Sequence, residues 1–286
     1  MLKADRPKGR ILRWTPGFGR IGAFCGGLHL HVVYLHVVWE FAGICMGNLH
    51  ATHIKPDSSL ANALLSHKII HCMMKRMVVP EMLDSMPPDD LEAMRSRRDL
   101  RRINRLMGND NWICRSVRNF PAAAALGIVE IGAGDGVLCH RLRNLFPASP
   151  MAAYDLAPAP LGLTADVIWY QGDIFTMPPP DISGVLVANL FIHHFEGDSL
   201  LALGRWVSRF EVMIISEPDR ARLPHGLGGL LYPFINRVTR HDMHVSIRAG
   251  FSAGEMMRLM GLDEPGRQFQ ENSTWRGSRR VIGWRS

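Results

Sequence analysis

Short apolar runs alternate with amphipathic segments through the second half of the chain. Five runs of four to six residues have the length and apolar character of parallel strands that are covered on both faces. These runs are Ile128–Ile131, Met151–Asp155, Val167–Tyr170, Gly184–Asn189 and Val212–Glu217. Two later segments, 268–272 and 279–284, alternate between apolar and polar residues and predict an antiparallel pair. We therefore predict an α/β fold with a doubly wound, mostly parallel seven-stranded sheet and an antiparallel C-terminal strand.

A longer amphipathic segment precedes the first strand and predicts a helix that ends at Met107. The segment Pro87–Asp90 favours its first turn and Gly108 its end. The apolar side chains expected to face the core are Leu91, Met94, Leu100, Ile103 and Leu106. The arginines of this helix are expected to form a solvated face rather than a site for an anionic partner. A second helix is predicted from Ser199 to Phe210.

The basic charge of the chain is concentrated at its N-terminus. Residues 1–75 contain 9 Lys and Arg against 3 Asp and Glu, so they carry +6 of the net charge of +7. The region that contains the strands is nearly neutral, which argues against a nucleic-acid partner. With 286 residues, of which 47% are apolar, the chain is long enough for one large domain or two small ones.

The texture of the sequence changes near residue 75. Residues 1–75 are predicted to be a basic and apolar segment that is poorly structured, a membrane anchor or a product of a misplaced translation start. Residues 21–47 contain one formal charge, Glu40, but glycines and histidines interrupt this apolar run. Association with an inner membrane through residues 21–47 is therefore the alternative, and a cytoplasmic protein is the first expectation.

The cysteines indicate a reducing compartment. They are five in number, widely spread and never in a C-x-x-C pair: Cys25, Cys45, Cys72, Cys114 and Cys139. This pattern predicts neither a disulfide framework nor a zinc site. Histidines are frequent between residues 29 and 71, but no acid or cysteine accompanies them at ligand spacing, and no metal is predicted.

A glycine-rich turn follows the first strand. Gly132, Gly134 and Gly136 form the pattern E-x-G-x-G-x-G with Glu130 inside the strand. A dinucleotide fingerprint requires G-x-G-x-x-G, and its third glycine position is occupied here by Val137, which disfavours a nicotinamide oxidoreductase. An acid before the loop would repel a pyrophosphate but suits a ligand that carries an ammonium group.

Further acids follow the next two strands. Asp155 ends the second strand, and Asp173 follows the third. A carboxylate at Asp155 can accept hydrogen bonds from both hydroxyls of a ribose, and one at Asp173 can hold the exocyclic amine of an adenine. A glycine loop alone is weak evidence for a ligand, but the recurrence of acids at the ends of successive strands predicts an adenosine-type ligand with a positive charge.

These motifs resemble those of the class I S-adenosylmethionine-dependent methyltransferases, over about residues 80–286. The resemblance is carried by Val129–Gly136, Asp155, the pair Asp173-Ile174 and the segment 188–195. More narrowly, segments 216–220, 238–242 and 246–251 are similar to the ubiquinone-biosynthesis-type enzymes and to small bacterial methyltransferases that modify phenolic or polyketide products. The L-K-P-G-G turn of many relatives is absent, and residues 205–210 stand in its place.

The resemblance implies a Rossmann-like methyltransferase fold, with S-adenosyl-L-methionine as cofactor. It implies that Glu130 and the glycines hold the methionine part, Asp155 the ribose, and Asp173 with Ile174 the adenine. The full cofactor-binding set that we predict is Glu130, Gly132, Ala133, Gly134, Gly136, Asp155, Leu156, Asp173, Ile174 and Asn189. The domain of residues 76–286 would then comprise a helical cap (76–126), a cofactor half (127–220), a lid over the acceptor (221–251) and C-terminal strands (252–286).

The acceptor is predicted to be a small apolar molecule of aromatic, quinone-like or polyketide character. Oxygen is the first choice for the atom that is methylated, and carbon is the second choice. A group that removes a proton would come from His194 or His193, although either imidazole can equally pack or cap a helix. Tyr232, Arg240, His241 and Arg248 are candidates to contact the acceptor, although the polar ones can instead pair with one another or with Asp242.

Two other functions are alternatives to small-molecule methylation. A non-catalytic cofactor-binding or scaffold protein with the same fold is the alternative to an enzyme. A nucleic-acid methyltransferase is disfavoured because an N-P-P-[YFW] signature is absent after the fourth strand, where Leu190 follows Asn189.

The change of texture near residue 75 generates one prediction about the native product. We expect the native protein to begin near Met74, Met77 or Met82, because the well-patterned sequence starts there. The intact mass of the protein isolated from its native source tests this expectation. A mass that includes residues 1–70 would contradict it.

Overall fold

A computed structural model describes residues 74–87, 89–221, 226, 229, 231–263 and 265–286. The helices are α1 (Leu91–Met107), α2 (Asn109–Arg118), α3 (Pro121–Ala125), α4 (Val137–Leu145), α5 (Gly197–Val207), α6 (Arg237–Ala249) and α7 (Glu255–Leu259). The strands are β1 (Ile128–Ile131), β2 (Met151–Asp155), β3 (Val167–Gln171), β4 (Val185–Asn189), β5 (Val212–Pro218), β6 (Arg267–Ser273) and β7 (Ser278–Arg285). Short 3₁₀ turns occupy Leu83–Ser85, Ile192–His194 and Tyr232–Phe234.

The strands form one seven-stranded sheet in the order β3-β2-β1-β4-β5-β7-β6. Strands β1 to β5 pair in parallel, and β7 pairs in antiparallel fashion with both β5 and β6. The order reverses between β1 and β4, and a doubly wound sheet places its ligand cleft at such a reversal. The predicted doubly wound fold is confirmed.

The sheet is covered on both faces, which explains why its central strands are continuously apolar. All residues of β1 are buried, and so are all seven of β5. Side chains alternate between the two faces: Val129 and Ile131 belong to one core cluster and Ile128 to the other. The apolar runs in the sequence therefore correspond closely to the strands.

Helix α1 differs from the prediction in its first residue and in the side chains that it buries. It begins at Leu91 rather than within Pro87–Asp90, because the extended Asp90 caps it by accepting the N–H groups of residues 92 and 93. The expected apolar stripe is wrong: three of its five members are exposed, by 69%, 49% and 61% respectively for Leu91, Met94 and Leu106. The buried positions are instead Ala93, Ser96 and Asp99.

The reason is that α1 packs against the start of α6 through hydrogen bonds. Asp99 Oδ2 accepts the N–H of Asn236 at 3.0 Å. The hydroxyl of Thr239 donates to that of Ser96 at 3.0 Å. Both hydroxyl-bearing residues are fully buried. A helix contact made by small polar side chains leaves no apolar stripe to read in the sequence.

Residues 74–86 cross the surface between α6 and the turn after β4, and we call them the N-terminal strap. The buried carboxylate of Asp242 on α6 accepts the N–H groups of Met82 and Leu83 at 2.8 and 3.0 Å. The guanidinium of Arg76 donates to the carbonyl of Ala249 at 2.9 Å and to that of Phe195 at 2.8 Å. The strap is thus attached to both elements.

The prediction of a poorly structured segment or membrane anchor concerns residues 1–75 and lies almost wholly outside the described residues. Among the described residues, no helix combines the length and the apolar character that crossing a bilayer requires. Within the predicted lid, residues 221–251, positions 222–225, 227, 228 and 230 lie outside the described residues.

Candidate cofactor and acceptor site

The glycine loop lies between the end of β1 and the first turn of α4. Gly132, Gly134 and Gly136 have positive φ angles of 67°, 53° and 69°, which residues with a Cβ atom rarely adopt. A Cβ atom at Gly132 would lie 2.3 Å from the ring of Phe191, whereas one at Gly134 would meet nothing within 4 Å. The loop is therefore closed on the side of Phe191 and open at Gly134, where a ligand can lie against the backbone.

Asp155 connects the glycine loop to the end of β2. Its Oδ2 atom accepts the N–H of Gly134 at 2.7 Å, and its Oδ1 atom accepts the N–H of Ala157 at 2.8 Å. Each carboxylate oxygen has a further lone pair, and the side chain is only half-buried. Leu156, which follows, is 75% exposed. Both predicted ribose-side residues are thus accessible beside the loop.

Glu130 places a buried acid beneath the loop. It is 3% exposed, and its Oε2 atom has no hydrogen-bond partner among the described residues. Burial raises the pKa of its carboxyl group well above the usual range, and the negative charges of Asp110, Asp155 and Asp135 raise it further. Because three acids act on the buried carboxyl of Glu130, the cleft favours a positively charged ligand.

Asn189 lies at the end of β4, which is the neighbour of β1 in the sheet. Its amide Nδ2 lies 3.4 Å from Oδ1 of Asn104 and 3.5 Å from Oδ1 of Asp110. Its Oδ1 atom is buried without a hydrogen-bond partner among the described residues. Asp110 is held in place by the amide of Asn104 at 3.0 Å and by Arg141 at 3.3 Å. Asn104, Asp110 and Asn189 therefore form a polar cluster that shares Asp110 with the acids acting on Glu130.

The third predicted acid lies at the end of β3. Asp173 is exposed, and its Oδ1 atom accepts the N–H of Phe175 at 3.0 Å. The side chain of Ile174 is 4% exposed and packs in the core, so only its backbone is available to an adenine. Asp155 and Asp173 stand at the same edge of the sheet because β2 and β3 are parallel neighbours.

The turn after β4, residues 190–195, is strained and is held by a buried carboxylate. Leu190 has a φ of 56°, a conformation that costs a residue with a side chain about 1–3 kcal/mol. Glu217, at the end of β5 and fully buried, compensates for this strain. Its carboxylate accepts the three successive N–H groups of residues 191, 192 and 193 at 3.0, 2.8 and 3.3 Å. This clamp places Phe191 against Gly132.

The structure distinguishes the two predicted bases, His193 and His194. His193 is 3% exposed; its Nδ1 lies 2.7 Å from Glu217 Oε2 and its Nε2 3.5 Å from Glu81 Oε1. Burial alone lowers the pKa of His193, but the two carboxylates outweigh it and raise that pKa to about 9. His193 is therefore charged at neutral pH and is a poor base.

His194 has the opposite character. Burial and the charge of His193 lower its pKa, so its imidazole is neutral near pH 7. Its ring is partly exposed and lies beside that of His193, with 4.3 Å between the centroids. Of the two histidines, His194 is therefore the one whose ring has an unprotonated nitrogen at neutral pH.

The predicted acceptor contacts lie on the segment that includes α6. Tyr232 is 36% exposed on its 3₁₀ turn, and Arg240 is exposed. His241 pairs with Asp242 at 2.9 Å, which was the alternative to its contacting an acceptor. Arg248 lies 3.7 Å from the sulfur of Met77 in the strap. These four side chains remain candidates, but the structure does not gather them into one cluster around the glycine loop.

Comparisons with known proteins support the fold. The chain is similar to the plantazolicin methyltransferase BpumL in complex with SAH, with a TM-score of 0.55, 10% identity and coverage of 71% of this chain and 92% of that one. It is also similar to the plantazolicin methyltransferase BamL in complex with a triazolic desmethylPZN analog and SAH, with a TM-score of 0.53, 11% identity and coverage of 71% and 91%. The chain has the class I methyltransferase fold.

Similarity in sequence is more local. A segment of 66 residues, 21% of this chain, is 35% identical to a malonyl-[acyl-carrier protein] O-methyltransferase of Hahella chejuensis (strain KCTC 2396). The matched segment covers 24% of the length of that relative, so the chain spans about a quarter of it. No protein-family model matches the chain.

Sequence reasoning did not find Asn104 and Asp110, which both lie beside the side chain of Asn189 in the candidate site. The sequence predicted that Gly108 ends a helix, but Gly108 also begins the next one, with a φ of 71°. This break brings Asn104 and Asp110 together and turns both toward Asn189. The run Asn109-Asp110-Asn111 directly after a glycine was the available signal, since such residues favour a helix start.

The clamp on the turn generates a prediction. Replacing Glu217 by Gln should destabilise the fold by about 3 kcal/mol, because an amide nitrogen cannot accept a hydrogen bond and the buried His193 loses its counter-charge. Urea unfolding of the variant and of wild type measures the difference. The matched control is Glu196→Gln, at an exposed acid just beyond the same turn, which should leave stability unchanged. Equal stabilities for all three proteins would show that the clamp does not hold the turn.

Proposed function

We propose that the chain is an S-adenosylmethionine-dependent methyltransferase that acts on a small, apolar acceptor. The observation that carries this proposal is the buried, unpartnered Oε2 atom of Glu130, with three further acids around it and an open glycine loop above. S-adenosylmethionine has an ammonium and a sulfonium group, and both suit this acidic cleft. The class I methyltransferase fold and the order of Glu130, Asp155 and Asp173 along adjacent strands support the same cofactor.

The residues present fit the cofactor part by part. Glu130 and the loop from Gly132 to Gly136 would hold the methionine part, with Ala133 packed beneath and Asn189 at the end of the neighbouring strand β4. Asp155 would accept the ribose hydroxyls beside Leu156, and Asp173 would hold the adenine amine with the backbone of Ile174. When bound, S-adenosylmethionine supplies a methyl group already activated by its sulfonium.

The protein then has to align the acceptor, exclude water and accept a proton. Phe191, positioned by the Glu217 clamp against Gly132, closes one wall of the cleft. His194 is the proposed proton acceptor, because its imidazole is neutral and partly exposed, whereas His193 is buried and charged. The strap and α6 lie on this side of the sheet, with Tyr232, Arg240, His241 and Arg248 as proposed acceptor contacts.

For the acceptor we propose an aromatic, quinone-like or polyketide molecule, with oxygen as the attacked atom and carbon as the second choice. The name of the Hahella relative, an O-methyltransferase, favours oxygen. Exposed apolar side chains near α6, including Phe234 at 77%, favour an apolar acceptor. We propose a cytoplasmic location, in line with Cys114 and Cys139, which are free thiols.

The experiment that tests the proposal measures cofactor binding and methyl transfer separately. Calorimetric titration with S-adenosylmethionine, in a buffer with a chelator, should show binding at one site. A panel of phenolic, quinol and polyketide acceptors, followed by mass spectrometry, should then show a gain of one methyl group on an acceptor. Binding without any methylated product would favour the non-catalytic scaffold, and no binding would overturn the proposal.

A glycine substitution localises the cofactor. Gly134→Val places a side chain in the open space of the loop, so affinity for S-adenosylmethionine should fall at least about tenfold, which corresponds to 1.4 kcal/mol. The matched control is Gly254→Val, since Gly254 also has a positive φ, 68°, and open space around it, but lies at the start of α7. Unchanged affinity in Gly134→Val, or an equal loss in both variants, would contradict the site assignment.

The raised pKa of Glu130 predicts that cofactor binding releases protons. A cation in the cleft favours the ionised carboxyl, so at a pH below its raised pKa the group loses its proton on binding, and affinity increases as the pH rises. Calorimetry in two buffers of different ionisation enthalpy measures the number of protons released. Glu130→Gln has no proton to lose at this position and should release fewer. Equal release by both proteins would show that Glu130 does not sense the cofactor.

A further inference from the structure

Three side chains near the turn after β4 have the arrangement of metal ligands. Glu81 of the strap, His193 and His194 each offer one ligand atom, and these atoms all lie within 4.8 Å of one another. This group could not be predicted from the sequence, because Glu81 is more than a hundred residues away from the two histidines. Attachment of the strap to α6 and to the turn brings the acid beside the imidazoles.

The separation between His193 and Glu81 matches that of two ligands around a zinc ion. With ligand bonds of about 2.1 Å, two ligands of a tetrahedral zinc ion lie about 3.4 Å apart. His193 Nε2 and Glu81 Oε1 are separated by 3.5 Å. That separation is too long for a good hydrogen bond, and the Nε2 atom is buried with no hydrogen-bond partner among the described residues. A buried imidazole nitrogen is thus aimed at a carboxylate without bonding to it.

The groups behind these ligands also fit a metal site. Glu217 holds the Nδ1 side of His193 at 2.7 Å, and a carboxylate on the second nitrogen is the usual support of a histidine that binds metal. The hydroxyl of Ser246 on α6 donates to Glu81 Oε1 and orients that carboxylate. Two carboxylates, Glu81 and Glu217, thus flank one imidazole, and a divalent cation would take the place of the proton that they stabilise on His193.

We propose that Glu81, His193 and His194 bind a divalent cation of the zinc class. Two imidazoles and one carboxylate suit zinc better than calcium or magnesium, which prefer oxygen ligands alone. Three protein ligands leave a fourth position, the arrangement of catalytic rather than structural zinc. The partly exposed ring of His194 and the exposed Asp84, whose Oδ2 lies 4.0 Å from His194 Nδ1, mark the side of the cluster that faces solvent.

A role for this ion follows if the proposed function holds. An acceptor hydroxyl in the fourth position would have its pKa lowered by the cation, so no free imidazole would be needed to remove its proton. His194 would then act as a ligand in the metal-bound protein instead of as a base. The metal site itself does not depend on this role, because its ligands and its test are independent of methyl transfer.

The test is a titration of the full chain with Zn²⁺, and with Co²⁺ as a spectroscopic probe. We expect wild type to bind an equivalent of metal that is lost from His194→Ala and from Glu81→Gln, with affinity reduced at least about 100-fold for removal of a direct ligand. His194 and Glu81 are changed separately so that a folding defect in one variant does not decide the result. Co²⁺ in this site should give visible absorption bands of a tetrahedral ion.

The control variant is His140→Ala, at an exposed histidine on α4 away from the cluster. The seven histidines between residues 29 and 71 provide other places for zinc to bind. All four proteins retain them, so zinc bound there would be equal in each. Loss of the same equivalent in both cluster variants but not in His140→Ala supports the site. Equal binding by all four proteins, or no binding by wild type, overturns it. Either outcome leaves the cofactor titration, performed with a chelator, unaffected.

Discussion

The carboxylate of Glu217 is the interaction on which the geometry of the candidate site depends. From the end of β5 it binds three consecutive backbone N–H groups and one imidazole of the neighbouring turn. Those bonds offset the strained conformation of Leu190. In consequence Phe191 lies against the glycine loop while His193 points at the strap. A single buried acid thus sets the positions of groups on both the cofactor side and the acceptor side.

The acidic side chains near Glu130 and those near His193 differ in their partners. Around Glu130, Asp110 and Asp135 are paired with Arg141 and Arg101, but the buried carboxyl of Glu130 has an oxygen without a hydrogen-bond partner among the described residues. The cleft therefore suits a ligand that brings its own positive charge. Around His193 two carboxylates already face a protein cation. The first arrangement is typical of a binding site that is incomplete without its ligand. The second holds the strap against the body of the domain and makes that part of the N-terminal region a component of the site.

The sequence predicted the sheet well and the helices less well. Every strand was placed within one residue at each end, because burial on both faces leaves an uninterrupted apolar run. Helix α1 was oriented wrongly, because Ser96 and Asp99 are buried through hydrogen bonds that no periodicity reveals. Asp155 and Asp173 were predicted as cofactor ligands from their places at or after strand ends, and the structure brings these two acids to the same edge of the sheet. His193 and His194 could not be distinguished, since their difference depends on Glu81 and Glu217, which are distant in sequence.

The attachment of the strap has a consequence for where translation can usefully begin. Arg76 donates hydrogen bonds to the carbonyls of His193 and Phe195, and Glu81 faces the ring of His193. A polypeptide started at Met77 would retain Glu81 but lack Arg76, and one started at Met82 would lack both. Only a start at or before Met74 encodes both strap residues that contact the turn after β4. The choice among closely spaced methionines therefore determines the chemistry of the site as well as the length of the product.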